Sequence, residues 1–439
     1  MSSQGDFEVR FTDREITAWG GMALMQRMLQ SIEFSDAAKQ WDLPQPGSNR
    51  GYEPVQIIEQ FLVSIWCGAN RFAHAEITRF DATLTRLFGW TKVAGHKAIM
   101  RFFNRFDMAK NEQVQEQIYR WFFDRLSIDR LTLDVDSTVI TRCGQQQGAA
   151  KGYNPSKPGR NSHHPLLALI AESRMVANFW LRPGNTSSSN NILEFLQSTL
   201  RHLGNKTVGL LRADSGFFDD AVMNFLHSKS IAYIISARLT QPLQQAIVSQ
   251  CKFWVIEPGL EIGEINYQAQ GWAQARRIVV VRQSIKVRAQ APGKTLRLFA
   301  EIQGWRYGAM VTSLELPALQ IWRLYRGRAD CENRIKELKA DFGLDSFNMA
   351  QFWATEAALG MAMLAYNLMS LFRQAVMKSG IHHTLATPHH KVFAVGAFWD
   401  SNAEKNVLRL AVTRRRRQWF EGLWAQAEID PGLHRFGHD

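Results

Sequence analysis

The sequence predicts an α/β protein: a mixed sheet with helices on both faces, an inserted antiparallel β subdomain, and helical N- and C-terminal regions. Apolar residues recur every three or four positions from about Gly21 to Leu126, which is the helical period. At Leu131 the period changes to two, and short apolar runs then alternate with helical stretches. Segment 240–313 is far too long for a plain loop and again alternates, which indicates the inserted sheet.

Composition points to a large globular chain with a polyanionic partner. The 439 residues are 46% hydrophobic, enough to bury a substantial core. Lys and Arg number 52 against 40 Asp and Glu, and the formal charge of +12 favours nucleic acid as the partner. The four cysteines are far apart and form no CxxC pair, which argues against a zinc site or a disulfide framework and fits a reducing cytoplasm.

No segment reads as a secretory signal or a membrane span. The first residues lack a basic stretch followed by an apolar one. The most apolar stretch, Trp353 to Phe372, contains Glu356, Asn367 and Ser370, so it is predicted to be a buried core helix. We therefore expect no membrane partner.

The first predicted strand carries two acids on one face. From Leu131 to Val139, apolar residues alternate with polar ones, and the polar positions include Asp134 and Asp136. Buried carboxylates are costly unless they are paired or bound to metal. This strand therefore predicts a functional site.

Together with the elements that follow it, this strand gives the order β-β-β-α-β-α-β. A hairpin is expected over 165–172 and 174–181, a helix at about 191–203, a strand over 207–212, a helix over 219–228 and a strand over 231–237. Asp214 stands at the C-terminal end of the strand over 207–212.

The segment 151–164 reads as a mobile surface loop because it is rich in glycine, proline and cations. Lys157 and Arg160 are its candidates for contact with a phosphate backbone. His163 and His164 are interpreted as solvated histidines of this loop rather than metal ligands.

The insertion is predicted to have a basic face and a turn at 291–294. Between Trp272 and Tyr307 it holds eight Lys or Arg residues and one acid, Glu301. A solvated sheet face is the alternative interpretation. Two other basic stretches, 91–106 and the run Arg414–Arg417 before Trp419, suit either phosphate contact or plain solvation.

The stretch from Leu319 to Lys339 is expected to be the middle of one long helix. Pro317 suits its first turn and Gly343 its end. On one continuous helix Tyr325, Arg328, Glu332 and Lys339 fall within a stripe of about 60°. An amphipathic surface helix with an Arg328–Glu332 pair is the simpler interpretation.

Three acids are candidates for one site: Asp136, Asp214 and Glu332. Asp136 lies on the first predicted strand and Asp214 at the end of the fourth, which is expected beside it. Glu332 lies on the helix after the insertion. Three converging carboxylates suit two hard cations such as Mg²⁺, which activate an attacking oxygen and stabilise the leaving oxygen at phosphorus.

The element order with this placement of acids resembles the RNase H-like fold of DDE transposases. The spacing of Tyr325, Arg328, Glu332 and Lys339 matches the Tyr-Arg-Glu-Lys signature of a bacterial insertion-sequence group with a β insertion. The motifs most similar to insertion-sequence family thirteen-eighty are Leu133-Asp-Val-Asp-Ser-Thr138, Gly152-Tyr-Asn-Pro155, Leu181-Arg-Pro-Gly-Asn-Thr186, Arg212-Ala-Asp-Ser-Gly216 and Tyr325-Arg-Gly-Arg328. They cover about 131–347.

The resemblance implies roles for individual residues. Asp136, Asp214 and Glu332 would form the metal-binding triad, with Asp134 either the competing first acid or a supporting partner. Three residues on the helix, Tyr325, Arg328 and Lys339, would hold transposon-end phosphates with help from Lys336. Trp305 is the candidate for stacking on a flipped base, ahead of Tyr307 and Trp272.

The resemblance implies DNA transposition by a cut-and-paste route. Two Mg²⁺ ions, for which Mn²⁺ can substitute, would support nicking of an element end to a 3′-hydroxyl. That hydroxyl would then attack the opposite strand, giving a hairpin, or target DNA. A homodimer on double-stranded transposon-end and target DNA is implied, in the bacterial cytoplasm and at the nucleoid when bound.

Two alternatives remain open. One is a catalytically silent end-binding regulator derived from a transposase, and the other is a nuclease without strand transfer. The predicted segments are a helical DNA-binding domain (1–126), a catalytic core in two parts (127–239 and 314–375), the inserted β subdomain (240–313) and a C-terminal helical region (376–439).

Overall fold

The computed structural model describes residues 8–48, 51–128, 130–285, 301–302, 304–400 and 406–430. Among these, two compact units can be distinguished. Of the described residues, the helical unit comprises those within 8–114, 339–349, 353–400 and 406–430, and the sheet unit comprises those within 115–338 and 350–352. The division into five segments remains a prediction.

The elements are numbered along the chain. The α-helices are α1 Met22–Ser31, α2 Phe34–Gln40, α3 Pro54–Trp66, α4 Glu76–Arg79, α5 Ala82–Phe88, α6 His96–Phe103, α7 Met108–Asp124, α8 Ile192–Leu203, α9 Asp220–Ser228, α10 Gln241–Gln250, α11 Ala318–Arg326, α12 Ala329–Ala340, α13 Phe352–Leu371, α14 Ala386–Pro388 and α15 Arg414–Gln426. The strands are β1 Arg130–Ser137, β2 Ile140–Thr141, β3 Ala150–Lys151, β4 Asn161–His163, β5 Leu166–Ile170, β6 Val176–Trp180, β7 Thr207–Ala213, β8 Ala232–Ser236, β9 Lys252–Glu257, β10 Leu260–Tyr267, β11 Arg276–Ser284, β12 Glu301–Ile302, β13 Trp305–Thr312, β14 Ala397–Asp400 and β15 Val407–Leu410.

Helices α3 and α13 supply much of the core of the helical unit. The indole Nε1 of Trp66 donates to the carbonyl of Ala365 at 3.1 Å. Phe61 is fully buried, and its ring packs against Phe103 and Phe347 with centroids 5.1 and 4.9 Å apart. Helix α13 is buried on nearly all sides, as its apolar sequence predicts. Across the described ranges, no helix has the length and apolar character needed to cross a membrane.

The C-terminal part of the helical unit is not purely helical. Strands β14 and β15 form an antiparallel hairpin before α15. The sequence pattern did not predict this hairpin, because each strand is only four residues long and carries charged side chains.

A ten-stranded mixed sheet forms the centre of the sheet unit. Its order is β6-β5-β1-β7-β8-β13-β11-β10-β9, with β12 paired to β13. Strands β1, β7 and β8 are parallel, whereas β5 and β6 form the predicted antiparallel hairpin beside β1. The C-terminal ends of β1 and β7 therefore lie at the same edge.

The strands of the predicted insertion continue this sheet. β13 pairs antiparallel with β8, and β11, β10 and β9 add to it in antiparallel order. The predicted turn at 291–294 lies outside the described residues. Helix α10 was not predicted, because its buried apolar positions are only Leu243 and Ile247.

Segment 151–164 is more ordered than the sequence predicts, and the expectation of a mobile loop is wrong for its second half. Strands β2, β4 and β3 form a small sheet, and His163 and His164 are buried. The backbone packs closely here: a Cβ atom on Gly152 would stand 1.9 Å from the carbonyl oxygen of Gly184. Only glycine permits this approach between two of the quoted motifs.

The helix expected from Leu319 to Lys339 is broken into α11 and α12, which corrects the prediction. The amide of Arg328 donates to the carbonyl of Tyr325 at 3.0 Å instead of continuing the regular ladder to Leu324. The carbonyl of Leu324 accepts from Nη1 of Arg212 at 2.7 Å. Gly327 leaves room for that guanidinium, since a Cβ there would lie 2.6 Å from Nη1.

Candidate functional site

Asp136 lies at the end of β1 and is 8% exposed. Its Oδ1 accepts from the amide of Ser137 at 2.8 Å. Its Oδ2 is 2.9 Å from Nη2 of Arg328. Nε and Nη2 of Arg328 are buried without a hydrogen-bond partner among the described atoms, so this contact is an ion pair without hydrogen-bond geometry. Arg328 thus offsets the charge of Asp136 without saturating its oxygens.

Asp214 follows the neighbouring parallel strand β7. The register pairs Val135 with Ala213, so Asp136 and Asp214 are the next residues at the same edge of the sheet. Oδ1 of Asp214 accepts from the amide of Gly216 at 2.8 Å and caps a short 3-10 turn. This bond holds the carboxylate at the end of the strand.

Glu332 lies in the first turn of α12 and is exposed. Arg334 fixes this helix to the sheet unit: its Nη1 and Nη2 donate to the carbonyls of Ile170 and Ala171 at 2.8 and 2.9 Å. It also pairs with Asp330 at 2.7 Å. The helix that bears the third acid is therefore anchored beside β5.

The three acids interact electrostatically. Burial raises the pKa of Asp136 to about 6; Arg328 opposes this effect, while the negative charges of Asp214 and Glu332 add to it. Both acids are thus near enough to Asp136 to disfavour its charge. Asp136 and Asp214 lie at the ends of neighbouring strands, and the charge of Glu332 on α12 also acts on Asp136.

Asp134 occupies a different environment from Asp136. It is fully buried, and Arg212 donates to both of its oxygens, from Nε at 2.7 Å and from Nη2 at 2.8 Å. Burial raises the pKa of Asp134, and the Arg212 pair opposes that rise. The same guanidinium reaches the carbonyl of Leu324 at the break between α11 and α12. Asp134 and Arg212 together therefore position the segment that carries Tyr325 and Arg328.

A comparison with protein families identifies the family of the chain. The family model described as transposase DDE domain group 1 matches residues 2–427. The chain belongs to this family of DDE transposases. DDE transposases generally use divalent metal ions.

Other comparisons add little to this assignment. No curated protein matches the sequence. Among solved structures, the transposase is similar to the piggyBac transposase, seen by cryo-electron microscopy in a synaptic complex with hairpin DNA. The sequence identity is 10% and the TM-score 0.45, over 94% of this chain and 88% of that chain.

The residues at the end of β1 fit a divalent cation in their chemistry. Carboxylate oxygens are the ligands that Mg²⁺ prefers. Burial is the main cause of the raised pKa of Asp136, and a cation would offset both that cost and the added repulsion from Asp214 and Glu332. Within the part of the chain that the structure describes, no three acidic, His or Cys side chains enclose an ion as they stand. Asp136, Asp214 and Glu332 are the acids that would have to close around it.

The predicted phosphate-contacting residues fall into two groups. Tyr325 and Arg328 turn towards the acids. Burial raises the pKa of Tyr325, a rise that Arg328 and a hydrogen bond with Ser236 oppose and that Asp214 and Asp136 increase. Lys336 is exposed on α12, and Lys339 is half-buried one turn later. The break at Gly327 means that the four signature residues do not share one continuous helical stripe.

Sequence reasoning missed a polar network beside Asp136. Nδ1 of His164 is 2.8 Å from the carbonyl of Thr186, and Nε2 is 3.1 Å from Oγ of Ser137. Oγ of Ser137 is 2.9 Å from Oγ of Ser188. Burial lowers the pKa of His164, so the ring is neutral at pH 7. A neutral ring that donates to Thr186 must accept from Ser137.

The serine next to Asp136 was the only sequence signal for this network, and it named neither His164 nor Ser188. Ser188 also lies near Asp214, since a Cβ on the intervening Gly216 would meet Oγ of Ser188 at 2.8 Å and Oδ1 of Asp214 at 3.0 Å. The network therefore links the ends of β1 and β7.

The aromatic candidates of the insertion differ in accessibility. Trp305 is half-buried, and the guanidinium of Arg282 lies 4.6 Å from its ring centroid. Tyr307 is 4% exposed and packs against Phe253, which leaves little ring surface for a base. Trp272 is half-buried and contacts Phe218, Tyr267 and Arg276. Lys157 and Arg160 are both exposed.

Proposed function

We propose that this transposase binds the ends of a mobile DNA element, nicks them to give 3′-hydroxyls and joins those hydroxyls to target DNA by a cut-and-paste route. The observation that carries the proposal is the electrostatic coupling of Asp136 to Asp214 and Glu332 at the shared edge of β1 and β7. Three carboxylates from two strands and a helix suit in-line displacement at phosphorus.

Asp136, Asp214 and Glu332 would hold two Mg²⁺ ions, for which Mn²⁺ can substitute. When bound, such ions activate the attacking oxygen and stabilise the leaving oxygen. Asp136 is the first acid of the triad, because its oxygens keep free acceptor positions. Asp134 has both oxygens engaged by Arg212 and acts as a support.

The cationic residues would hold DNA in register with the acids. Arg328 balances the charge of Asp136 and would turn its unpartnered nitrogens to a phosphate. The remaining DNA contacts in this proposal are Tyr325, Lys336, Lys339, Lys157, Arg160 and, through base stacking, Trp305.

The strand order β6-β5-β1-β7-β8, with β5 antiparallel to β1, supports an RNase H-like core. The spacing of Tyr325, Arg328, Glu332 and Lys339 supports the Tyr-Arg-Glu-Lys group and insertion-sequence family thirteen-eighty. We further propose a homodimer that synapses two ends, working at the nucleoid of a bacterial cytoplasm.

The test is cleavage of duplex DNA that carries the element's own ends. We expect nicking with Mg²⁺ or Mn²⁺. Asp136→Asn, Asp214→Asn and Glu332→Gln should each lower the rate by about 10³-fold or more, because metal activation is worth several kcal/mol and 1.36 kcal/mol is tenfold. Binding of end DNA should persist. Glu194→Gln, on an exposed acid of α8, is the matched control and should cleave normally.

The outcomes separate the alternatives. Specific end binding with no cleavage in either metal would identify an end-binding regulator. Cleavage without joining of the 3′-hydroxyl to a target plasmid would identify a nuclease. Normal cleavage by Asp136→Asn would refute the assigned triad.

A further inference from the structure

Helix α15 opens with four consecutive arginines in the helical unit. Arg414, Arg415 and Arg417 are exposed, and Arg416 is half-buried with a hydrogen bond to the carbonyl of Lys391. The first turn contains no acidic residue. Within the described ranges, Arg414, Arg415 and Arg417 form no ion pair with an acid. The cluster is therefore a patch of positive charge, and its three exposed members have no ion-pair partner among the described residues.

Helix stability does not explain this patch. The amino-terminal end of a helix carries a partial positive charge, which cations oppose and anions favour. Thr413 at the N-cap makes no side-chain capping bond that would offset the repulsion. Four cations in this turn therefore raise the free energy of the unbound protein, and a polyanion would relieve that repulsion.

The other side of α15 is already packed. Phe420 and Leu423 are buried, so the apolar stripe of the helix is not available to enter a lipid bilayer. Trp419 is 41% exposed one turn after Arg415, and the guanidinium of Arg416 lies 5.3 Å from its ring centroid. With its apolar stripe buried, the helix presents guanidinium groups that can donate to phosphate oxygens, and it has no apolar face to bury in lipid.

We propose that the exposed side of α15, formed by Arg414, Arg415, Arg417 and Trp419, binds the phosphate backbone of duplex DNA without reading its sequence. The choice of DNA as the polyanion rests on the proposed function. This surface adds DNA contacts to those assigned to α11 and α12.

The experiment compares full-length wild type with the triple variant Arg414→Gln, Arg415→Gln, Arg417→Gln. Affinity for a duplex is measured by fluorescence anisotropy from 50 to 200 mM salt, a range taken from typical protein–DNA titrations. We expect a loss of affinity of roughly 10- to 100-fold at the low-salt end. The slope of log affinity against log salt should fall by up to about 2.7, for three phosphate contacts at about 0.9 each. The melting temperature should stay the same or rise, because the repulsion in α15 is removed.

A second triple variant controls for net charge. Lys39→Gln, Lys229→Gln and Lys378→Gln remove three exposed cations that are not clustered. This variant should keep the wild-type salt slope. An equal loss in both variants, or an unchanged slope in the arginine variant, would overturn the proposal. So would unchanged DNA affinity together with lost binding to phosphatidylglycerol vesicles.

Cleavage distinguishes this surface from the proposed function. If wild type never cleaves end DNA but the arginine variant loses duplex affinity, the surface stands and the transposition proposal fails. If wild type cleaves and the arginine variant binds DNA normally, the surface fails alone.

Discussion

Asp134 and Asp136 lie two residues apart on β1 of this transposase, but their environments differ. Asp134 and Asp136 are both buried and both face an arginine. Arg212 saturates Asp134 with two short hydrogen bonds, whereas Arg328 approaches Asp136 without hydrogen-bond geometry. The negative charges of Asp214 and Glu332 also act on Asp136. A saturated carboxylate supports structure, and one that is balanced but unsaturated remains available to a metal.

The largest effect expected on stability comes from removing Arg212, whose guanidinium engages both oxygens of Asp134. Arg212→Met leaves Asp134 buried and uncompensated, and it should cost about 3–5 kcal/mol of unfolding free energy. Urea denaturation at pH 7 measures this. The double variant Arg212→Met, Asp134→Leu should cost less than the sum of the single variants.

Arg328→Met is the matched comparison, because it removes the arginine that faces Asp136. Its cost should be smaller than that of Arg212→Met and should shrink at pH 5, because Asp136 can take up a proton. Equal costs at both pH values for the two arginines would remove the distinction between the pairs.

The titration of Asp136 should make the stability of the folded protein depend on pH. The pKa of Asp136 is raised to about 6, so the folded state binds this proton more tightly than the unfolded state. The resulting stability is present below about pH 4 and is lost as pH rises through about 6. In metal-free buffer Asp136→Asn should abolish a decline of at most about 3 kcal/mol between pH 4 and 7. Parallel curves for wild type and variant would contradict the raised pKa.

The polar network tests whether Asp136 needs positioning. The side-chain amide of Asn can replace Nδ1 of histidine but not Nε2, so His164→Asn keeps the Thr186 bond and loses the Ser137 bond. We expect end cleavage to fall by about 10- to 100-fold, as for other residues that orient metal ligands. His164→Gln, whose amide reaches further, should recover part of the rate.

His163 is the matched neighbour for this test. It is also buried, and burial lowers its pKa to about 4, but it bonds to Gln147 and Arg142 instead of Ser137. If His163→Asn and His164→Asn lower the stability equally and also lower the cleavage rate equally, His164 has only a structural role.

The smallest effect concerns the break between α11 and α12. Alanine is a better helix former than glycine by about 1 kcal/mol, so Gly327→Ala would stabilise an ordinary helix. Here the new Cβ would stand 2.6 Å from Nη1 of Arg212, which is held by Asp134 and Leu324. We expect a net loss of about 1–2 kcal/mol in thermal or urea unfolding. A gain in stability would show that Arg212 can move aside freely.

The sequence by itself determined the elements and the candidate acids. Alternation located β1, and short apolar runs located β5, β6, β7 and β8. The helical pattern located α8, α9 and α13. These patterns depend on local burial along each segment. Asp136, Asp214 and Glu332 could be named from their positions at strand ends and on the helix. Their assignment to the triad stays a prediction.

Only the tertiary structure decided how these residues are used. Arg212 is 78 residues from Asp134 and 112 from Leu324, yet its guanidinium donates to both. The bond to Leu324 lies at the break in the expected helix. His164 was predicted to be a solvated loop residue, but it is buried and lies within hydrogen-bond distance of Ser137. Periodicity reports which side of an element is buried. It does not report which distant group satisfies a buried charge, because that choice is made only when the strands and helices pack.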